Sequence, residues 1–357
     1  MTSIKRAHVN AVAGAVPSHD IHQPYIEWAA ARIADPRGRQ LFERMAERSG
    51  ISHRWSVLPP TSAGGSPVSE GGFYDGRMPG TAERMRIYAQ AAPALALDAI
   101  RALAGKADTS AVTHLVVASC TGFVAPGVDQ IIAAALGLEN VERTLIGFMG
   151  CYAAAAALRT AHHIVRSDRQ ARVLTVTVEL SSLHLQLASE LEPLLAELQF
   201  GDGAAAALVT SDPQGFAIVA PFTAALPQSD KLITWTIGDA GFEMVLSGEV
   251  PGRIGTALQD EAVRHRVLDG WAVDEVDAWA VHAGGRSILD AVERSLQLAP
   301  DRLAASRRVL ADHGNMSSST LMFVLADLLE RPDIDRGVAI AFGPGLAAEG
   351  FRFERAG

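Results

Sequence analysis

Twice along this chain an apolar run of strand length ends in a glycine turn and opens into a helix. In the first half, 113–120 is a buried strand that closes on Cys120. A turn through Gly122, Pro126 and Gly127 then leads to a helix over 128–136. Next, 143–148 is a strand, Gly147 and Gly150 break it, and Cys151 opens an alanine-rich helical segment. In the second half, 276–282 is a strand ending at His282, followed by Ala283-Gly284-Gly285 and a helix to about 296. The run 308–311 then leads into Asp312-His-Gly-Asn315 and a helix over 317–329. Cys120 and Cys151 are 31 residues apart, His282 and Asn315 33. The repetition reads as an internal duplication with its seam near 211–215, dividing the chain into halves 1–212 and 213–357.

The rest of the chain fits an α/β architecture. A strand is expected over 7–15, one helix over 25–49, a surface loop over 59–80, and a second long helix over 81–103 with Thr81 as its N-cap. Further strands are expected over 172–180, from the Phe200-Gly-Asp-Gly203 turn to 210, and over 337–342. Open α/β sheets bind ligands beyond the carboxyl ends of their strands. Cys151, His282 and Asn315 are read at such ends, so the two halves can bring them to one pocket.

Composition excludes several classes. The 357 residues are 48% hydrophobic and carry a net charge of −9, so no nucleic-acid or anionic-membrane surface is expected, and an anionic ligand needs a local basic patch. Two cysteines give no disulfide framework, the first ten residues hold no apolar run of leader length, and no uncharged apolar run approaches about 18 residues. These features give the expectation of a cytoplasmic protein without a membrane span. The histidines and carboxylates show no metal-ligand spacing.

A thiol at a turn before a helix gains from the helix dipole and from free backbone N–H groups, which can draw a cysteine below about 8.5. Cys151 is therefore the candidate nucleophile, against the alternative of a buried cysteine acting as a small hydrophobe. Taken singly, His282 also reads as a core histidine and Asn315 as a helix cap.

Gly150-Cys151, Phe200-Gly-Asp-Gly203, Trp279-Ala-Val-His282, Gly314-Asn-Met-Ser-Ser318 and Phe342-Gly-Pro-Gly345, in this order, resemble the type III polyketide synthases, the chalcone-synthase-like branch of the thiolase superfamily. The resemblance runs from about Ala7 to Phe353. The wording Ala118-Ser-Cys-Thr-Gly122, Gly147-Phe-Met-Gly-Cys-Tyr-Ala153 and Ser182-Leu-His-Leu-Gln186 is closer to bacterial members than to plant ones.

The resemblance implies a thiolase-like duplicated fold layered αβαβα, a homodimer, and coenzyme A thioesters as substrates with no metal or redox cofactor. It implies Cys151 as the acyl acceptor, with His282 holding it as thiolate and, together with Asn315, donating to thioester oxygens. It makes Phe200 one gating ring, with Met244 where plant enzymes carry the second. Cys120, Ser181, His184 and Trp235 are cavity wall by the same alignment. Arg44, Arg48 and Arg54 fall where the family holds coenzyme A phosphates. Gly284, Gly285, Gly343, Pro344 and Gly345 shape the pantetheine path and the cavity floor. Two departures stand out: Ala283 replaces a proline, and Ala125 replaces a methionine that reaches into the partner's cavity.

The implied activity is repeated decarboxylative condensation of malonyl-CoA onto an acyl-CoA starter, closing to an alkylpyrone or alkylresorcinol. The alternatives are a small aromatic product from malonyl-CoA alone, a single condensation by an initiating β-ketoacyl carrier-protein synthase, a papain-type hydrolase, and a non-catalytic acyl-binding protein. Phe342-Gly-Pro-Gly345 favours the polyketide branch over the initiating synthases, which commonly carry glycine in place of Pro344.

Overall fold

The computed structural model describes residues 6–357; residues 1–5, on which part of the leader reading falls, lie outside them. The first half contains β1 (Ala7–Ala15), β2 (His19–Asp20), α1 (His22–Arg32), α2 (Pro36–Glu47), β3 (Trp55–Ser56), α3 (Thr81–Ala104), β4 (His114–Ser119), α4 (Val128–Ala135), β5 (Glu142–Gly147), α5 (Ala153–Ser167), β6 (Val173–Leu180), α6 (Leu191–Glu197) and β7 (Asp202–Thr210). The second contains β8 (Phe216–Ala225), β9 (Ile233–Gly238), β10 (Gly241–Leu246), α7 (Val250–Gln259), α8 (Glu261–Leu268), β11 (Ala278–Val281), α9 (Arg286–Leu296), α10 (Ala304–His313), α11 (Ser319–Leu329), β12 (Arg336–Gly343) and β13 (Ala347–Arg355).

From the middle outward the strands run β1-β7-β6-β4-β5 to one side and β8-β13-β12-β11 to the other. The two groups join where β1 pairs with β8, from Ala7 opposite Ile218 to Val9 opposite Phe216. Each group contains a parallel pair (β4 with β6, β11 with β12) that meets an antiparallel strand on its inner side (β7 and β13), and β5 adds a further parallel strand beyond β4. The second group repeats the first short of one strand. The expected strand at 308–311 is instead part of α10, because Ala, Arg and Leu favour helix and the buried residues Ala305 and Val309 recur at helical spacing.

Side-chain alternation sets the layers. In β4, Val116 and Ala118 face a central core while Leu115 and Val117 face an outer one; in β11, Ala278 and Ala280 face the same centre and Trp279 and Val281 the opposite outside. Helices α5 and α11 fill the centre. The run Ala153–Ala157 lets α5 lie close between two strand layers, and Leu321, Met322, Leu325 and Leu328 of α11 pack beside it. Each fully buried Leu or Met there contributes about 1.5–3 kcal/mol of hydrophobic stabilisation. Helix α3 covers the outer face of the first group through Tyr88, Ala92, Leu95 and Ala99, and α9 covers the second through Ile288, Leu289, Val292 and Leu296. The result is the layered αβαβα arrangement of the thiolase-like fold.

Three expectations are corrected. The single helix over 25–49 is two, because Pro36 lacks an N–H and starts a new helix, with the Asp35 carboxylate accepting from Arg37 and Gly38. Gly80, not Thr81, is the cap residue of α3. Thr81 instead accepts from the Gly241 amide at 2.9 Å and ties the β9–β10 hairpin onto the helix. The loop 59–80 is not merely surface, since Tyr74 is buried and donates to the Ser182 carbonyl at 2.7 Å.

Candidate active site

Cys151 lies in a single 3-10 turn, Gly150–Tyr152, that delivers the chain from β5 into α5. The reversal needs left-handed backbone at Phe148 (φ 54°) and Gly150 (φ 75°). No larger residue fits at 150, since a Cβ there would stand 2.4 Å from Cδ of Pro344. The Gly150 amide donates to Cys120 Sγ at 2.9 Å, which fixes the turn from the neighbouring strand end. The expected lowering of the thiol pKa is not found. Burial is the largest influence and pushes Cys151 up to about 12, while the side chains of Ser317 and Asn315 oppose it.

His282 follows β11 directly, anchored by its amide on the Ile340 carbonyl at 2.8 Å. Its ring is buried with both nitrogens unpartnered among the described residues, and burial pushes it down to about 3. Thiol and imidazole are thus both neutral at rest. Asn315 reaches the site from a different element than expected. It follows α10, after Gly314 (φ 66°), and is clamped by a bridge in which its amide donates to the Gln199 carbonyl at 2.7 Å and its carbonyl accepts from Gly201 at 3.0 Å. Its Oδ1 accepts from the Ser317 amide at 2.8 Å and its Nδ2 donates to the Gly284 carbonyl at 3.3 Å, leaving one amide proton for a ligand.

Two cavities meet beside the thiol. One of about 20 Å³ is lined by Cys151, Cys120, Ser181, Phe200, Trp235, Met244 and Pro344. An inner chamber of about 60 Å³ shares Ser181, Phe200, Trp235 and Met244 with it and extends to His184, Arg54 and Glu197. His184 therefore faces only the inner chamber. Its tautomer is fixed: Nε2 donates to the Thr121 carbonyl at 2.7 Å and Nδ1 accepts from the Phe242 amide at 3.0 Å, with the ring stacked on Phe242 at 4.2 Å. Trp235 is held by its indole N–H on the Cys120 carbonyl at 2.9 Å. Of the glycine-proline turn, only Pro344 lines the thiol cavity. Gly343 presses against Tyr152, where a Cβ would be 2.4 Å from the ring, and Gly345 (φ 71°) turns the chain towards β13.

Outside the site, a groove of about 510 Å³ runs between α2, α6 and α9, with Arg48, Arg286 and Gln199 on its walls. Gly285 lets Gln199 approach, since a Cβ there would stand 1.9 Å from its Oε1, and Gly284 lies beside His282. Arg44 is exposed one turn before Arg48 on α2. Arg54 is not at this mouth, which corrects its reading as a phosphate ligand. It is buried, donating from Nε to His22 at 3.0 Å and from Nη1 to the carbonyls of Glu197 at 3.1 Å and Phe200 at 2.8 Å, with its guanidinium over the Tyr25 ring.

Several site residues escaped the sequence reading. Glu179 is fully buried and accepts from the Cys120 amide at 3.0 Å, the Thr121 hydroxyl at 2.9 Å and the Ser318 hydroxyl; burial pushes it up to about 7. A lone carboxylate inside the otherwise uncharged strand 173–180 was the available signal. Asp202 of the Phe200-Gly-Asp-Gly203 turn accepts from the amides of Val57 and Ser182, both at 2.8 Å, and clamps the loop to the site. Arg286 had no signal beyond following Gly284-Gly285. Among the described residues, no group of three or more His, Cys, Asp or Glu is placed to hold a metal, and no helix is long and apolar enough to cross a membrane.

The duplicated thiolase-like fold is that of condensing acyltransferases, and comparison with known proteins identifies the branch. The description "Chalcone and stilbene synthases, N-terminal domain" matches residues 2–213, and its C-terminal counterpart matches 217–355. The chain belongs to this family, the type III polyketide synthases, and is an acyltransferase of that kind. It is 33% identical over 345 residues to the alpha-pyrone synthesis polyketide synthase-like Pks18 of Mycobacterium tuberculosis, covering 91% of this chain and 86% of that protein. It is 35% identical over 340 residues to bisdemethoxycurcumin synthase of Oryza sativa, covering 86% and 81%. The crystal structure of PKS-I from the brown alga Ectocarpus siliculosus superposes with a TM-score of 0.89 at 28% identity, covering 99% of this chain and 100% of that one.

Proposed function

We propose that the chain loads an acyl-CoA starter on Cys151, extends it with malonyl-CoA, and closes the product as an alkylpyrone or alkylresorcinol. In this reading the proton of Cys151 passes to His282, and the thiolate attacks the starter carbonyl. The tetrahedral oxyanion collapses with loss of the coenzyme A thiolate, which takes the proton back from His282. Malonyl-CoA then loses carbon dioxide, and its electron pair becomes an enolate whose oxygen faces the donors of His282 and Asn315. The enolate carbon attacks the Cys151 thioester, a C–C bond forms, and Cys151 leaves as thiolate and takes up a proton from solvent, while the lengthened chain is carried on the coenzyme A of the malonyl unit. Two fixed donors in a buried site are each worth a few kcal/mol to such oxyanions. The same cycle repeats on the lengthened chain. Ring closure uses either an enol oxygen on the terminal thioester carbonyl, expelling the thiol and giving a pyrone, or an aldol carbon on a ketone carbon with loss of water, followed by hydrolysis of the thioester and loss of carbon dioxide, giving a resorcinol.

The observation that carries this reading is the pair of buried, unpartnered nitrogens on His282, whose ring lies beside Gly284; the Gly284 carbonyl accepts from Asn315, and the Asn315 side chain acts on Cys151. An orphaned polar group without solvent costs roughly 1–3 kcal/mol unless a ligand completes it. The alpha-pyrone activity in the name of the mycobacterial relative favours a pyrone. The groove with Arg48 and Arg286 is assigned to the coenzyme A phosphates, with Arg44 at its approach. No metal or redox cofactor enters the cycle. A homodimer through β5 fits the exposure of this edge strand, where Leu145 is 48% exposed, and of Phe123 in the loop after β4, 46% exposed. Ala125, near this edge, is too short to reach far into a partner. A cytoplasmic location fits two buried, unpaired cysteines.

The test is a mass-spectrometric product profile of the purified protein with malonyl-CoA and acyl-CoA starters from acetyl to stearoyl. Pyrones or resorcinols that require a starter and vanish in Cys151→Ala support the reading. Aromatic products from malonyl-CoA alone would replace it with the small-aromatic alternative.

A further inference from the structure

The outward face of α2 carries a pattern that neither the thiol site nor the groove accounts for. Arg37, Leu41, Arg44, Met45 and Arg48 are all exposed, and they recur at intervals of four, three, one and three residues. On an α-helix that spacing keeps all five within one arc of about 100°. Leu41 is 39% and Met45 45% exposed, so two large apolar side chains stand among three cations with no acid between them. The acids of α2 lie elsewhere: Glu43 and Glu47 line a separate groove towards α1, and Phe42 and Ala46 form the buried side. The net charge of −9 hides this stripe. At its C-terminal end the stripe runs into the open groove. Met45 and Arg48 line that groove, and Met45 also lines an adjoining hollow of about 490 Å³ walled by Leu191, Leu195, Leu246, Val250 and Ile288. Of the acids there, Asp290 is engaged by Arg307 at 2.7 Å and Arg286 at 3.5 Å, and Glu192 lines only the hollow.

We infer that this face of α2 docks on an anionic lipid bilayer and so brings the groove to the plane into which long-chain acyl-CoA partitions. The delivery of substrate rests on the acyl-CoA reading above; the docking itself does not. A helix face that sets apolar side chains among cations is suited to lie flat in a bilayer interface, its apolar tips at the acyl boundary and its guanidinium groups on lipid phosphates. Leu41 and Met45 are placed for the boundary and Arg37 and Arg44 for the phosphates, while Arg48 stays at the groove. A second copy of the chain fits this face poorly, because a two-fold contact through it would set arginine against arginine. None of the five residues touches the reacting atoms.

The experiment is flotation of the purified full chain with vesicles of phosphatidylcholine alone and of phosphatidylcholine with phosphatidylglycerol. The expected result is about tenfold or more protein bound to the anionic vesicles at low salt, falling steeply as ionic strength rises. The wild-type comparison needs no variant to fold. Arg37→Glu/Leu41→Gln changes two exposed positions outside the site and the groove. Each arginine near an anionic surface is worth about fivefold in binding, so this charge reversal should lower it about tenfold or more. Its melting temperature and its kcat/KM for hexanoyl-CoA, a starter that stays in water, should not change, while kcat/KM for stearoyl-CoA supplied in the anionic vesicles should fall several-fold. Equal binding to both kinds of vesicle, or binding to neither, overturns the inference alone. Unchanged binding of the folded variant also overturns it, since the lipid surface would then lie elsewhere. Binding of a purified acidic acyl carrier protein that the variant loses, without any vesicle binding, would overturn it in favour of a protein partner. No condensation product from any starter overturns the proposed function, and flotation still decides the docking surface.

Discussion

The Gly150 amide donates to the Cys120 thiol at 2.9 Å, and the same thiol lies 3.6 Å from the Gly150 carbonyl. Cys120 therefore braces the turn that presents Cys151. Serine at 120 keeps a donor and an acceptor, whereas valine leaves the Gly150 amide orphaned where water does not enter, at a cost of about 1–3 kcal/mol. Cys120→Ser should load starter close to the wild-type rate, while Cys120→Val should load at least about tenfold more slowly and melt lower. Intact-mass detection of the acyl-enzyme over time, with a thermal melt of each variant, checks both.

Thiol and imidazole are each held neutral by burial, so the reactive thiolate depends on His282 as the receiver of its proton. His282→Gln keeps a polar side chain but cannot take that proton at neutral pH. The rate of Cys151 alkylation by iodoacetamide should then rise only at alkaline pH, towards the value of about 12 that burial imposes. The wild-type profile should lie lower by about one pH unit or more. Superimposable profiles would remove His282 from the activation of the thiol.

Much of the frame was legible because it rests on local pattern. The strands beneath Cys120, Cys151 and His282 are short apolar runs closed by glycine, and each lies within two residues of its expected place. What was not legible depends on contacts across the chain. The run 308–311 reads equally as strand or helix, and only the burial of Ala305 and Val309 on one face decides it. Arg54 has the spacing of a surface cation on the segment after α2, but Tyr25, Glu197 and Phe200 enclose it from elements up to 146 residues away. The pKa of Cys151 was misjudged for a similar reason. Helix-end geometry is local, while the desolvation that outweighs it comes from both halves packing over the thiol.

The two kinds of arginine should separate cleanly. Arg48 and Arg286 stand on the open groove, so Arg48→Ala and Arg286→Ala should raise KM for malonyl-CoA several-fold, with little change in melting temperature. The effect should shrink as added salt screens the phosphates in the wild type. Arg54→Ala removes a buried cation that satisfies two carbonyls and His22, and should cost on the order of 3 kcal/mol. Urea unfolding beside steady-state kinetics distinguishes them. A destabilised Arg48→Ala or a stable Arg54→Ala would reverse the assignment.

Glu179 offers a pH test that does not rely on activity. Burial raises its native pKa from 4.5 to about 7, so the native state holds the proton more tightly than the unfolded chain. Its stabilising proton is fully present below about 4.5 and is lost as pH rises towards 7. Glu179→Gln cannot ionise. The stability of the variant relative to wild type should therefore climb between these values, by an amount on the order of 3 kcal/mol, and stay level above and below. Urea midpoints from acid to mildly alkaline pH give the difference curve. A flat curve would mean that Glu179 ionises as readily in the native protein as in the unfolded chain.

Trp235 should set how far a chain can grow before it meets a wall. Its ring lines both cavities and is pinned by the Cys120 carbonyl, edge-on to His184 at 5.5 Å, so it does not swing aside without losing a hydrogen bond. Met244, on the shared wall with it, is unbranched and can turn. Trp235→Ala should merge the thiol cavity with the inner chamber and move the product distribution to longer starters or more extensions. Met244→Ala should broaden starter range with a smaller change in the number of extensions. The loss of the indole should also free the Cys120 carbonyl and slow acylation a few-fold, which separates a larger cavity from a faster enzyme. Product masses from one mixed-starter assay of the three proteins decide the matter. If Trp235→Ala keeps the wild-type length distribution, the limit on growth lies elsewhere in the chamber.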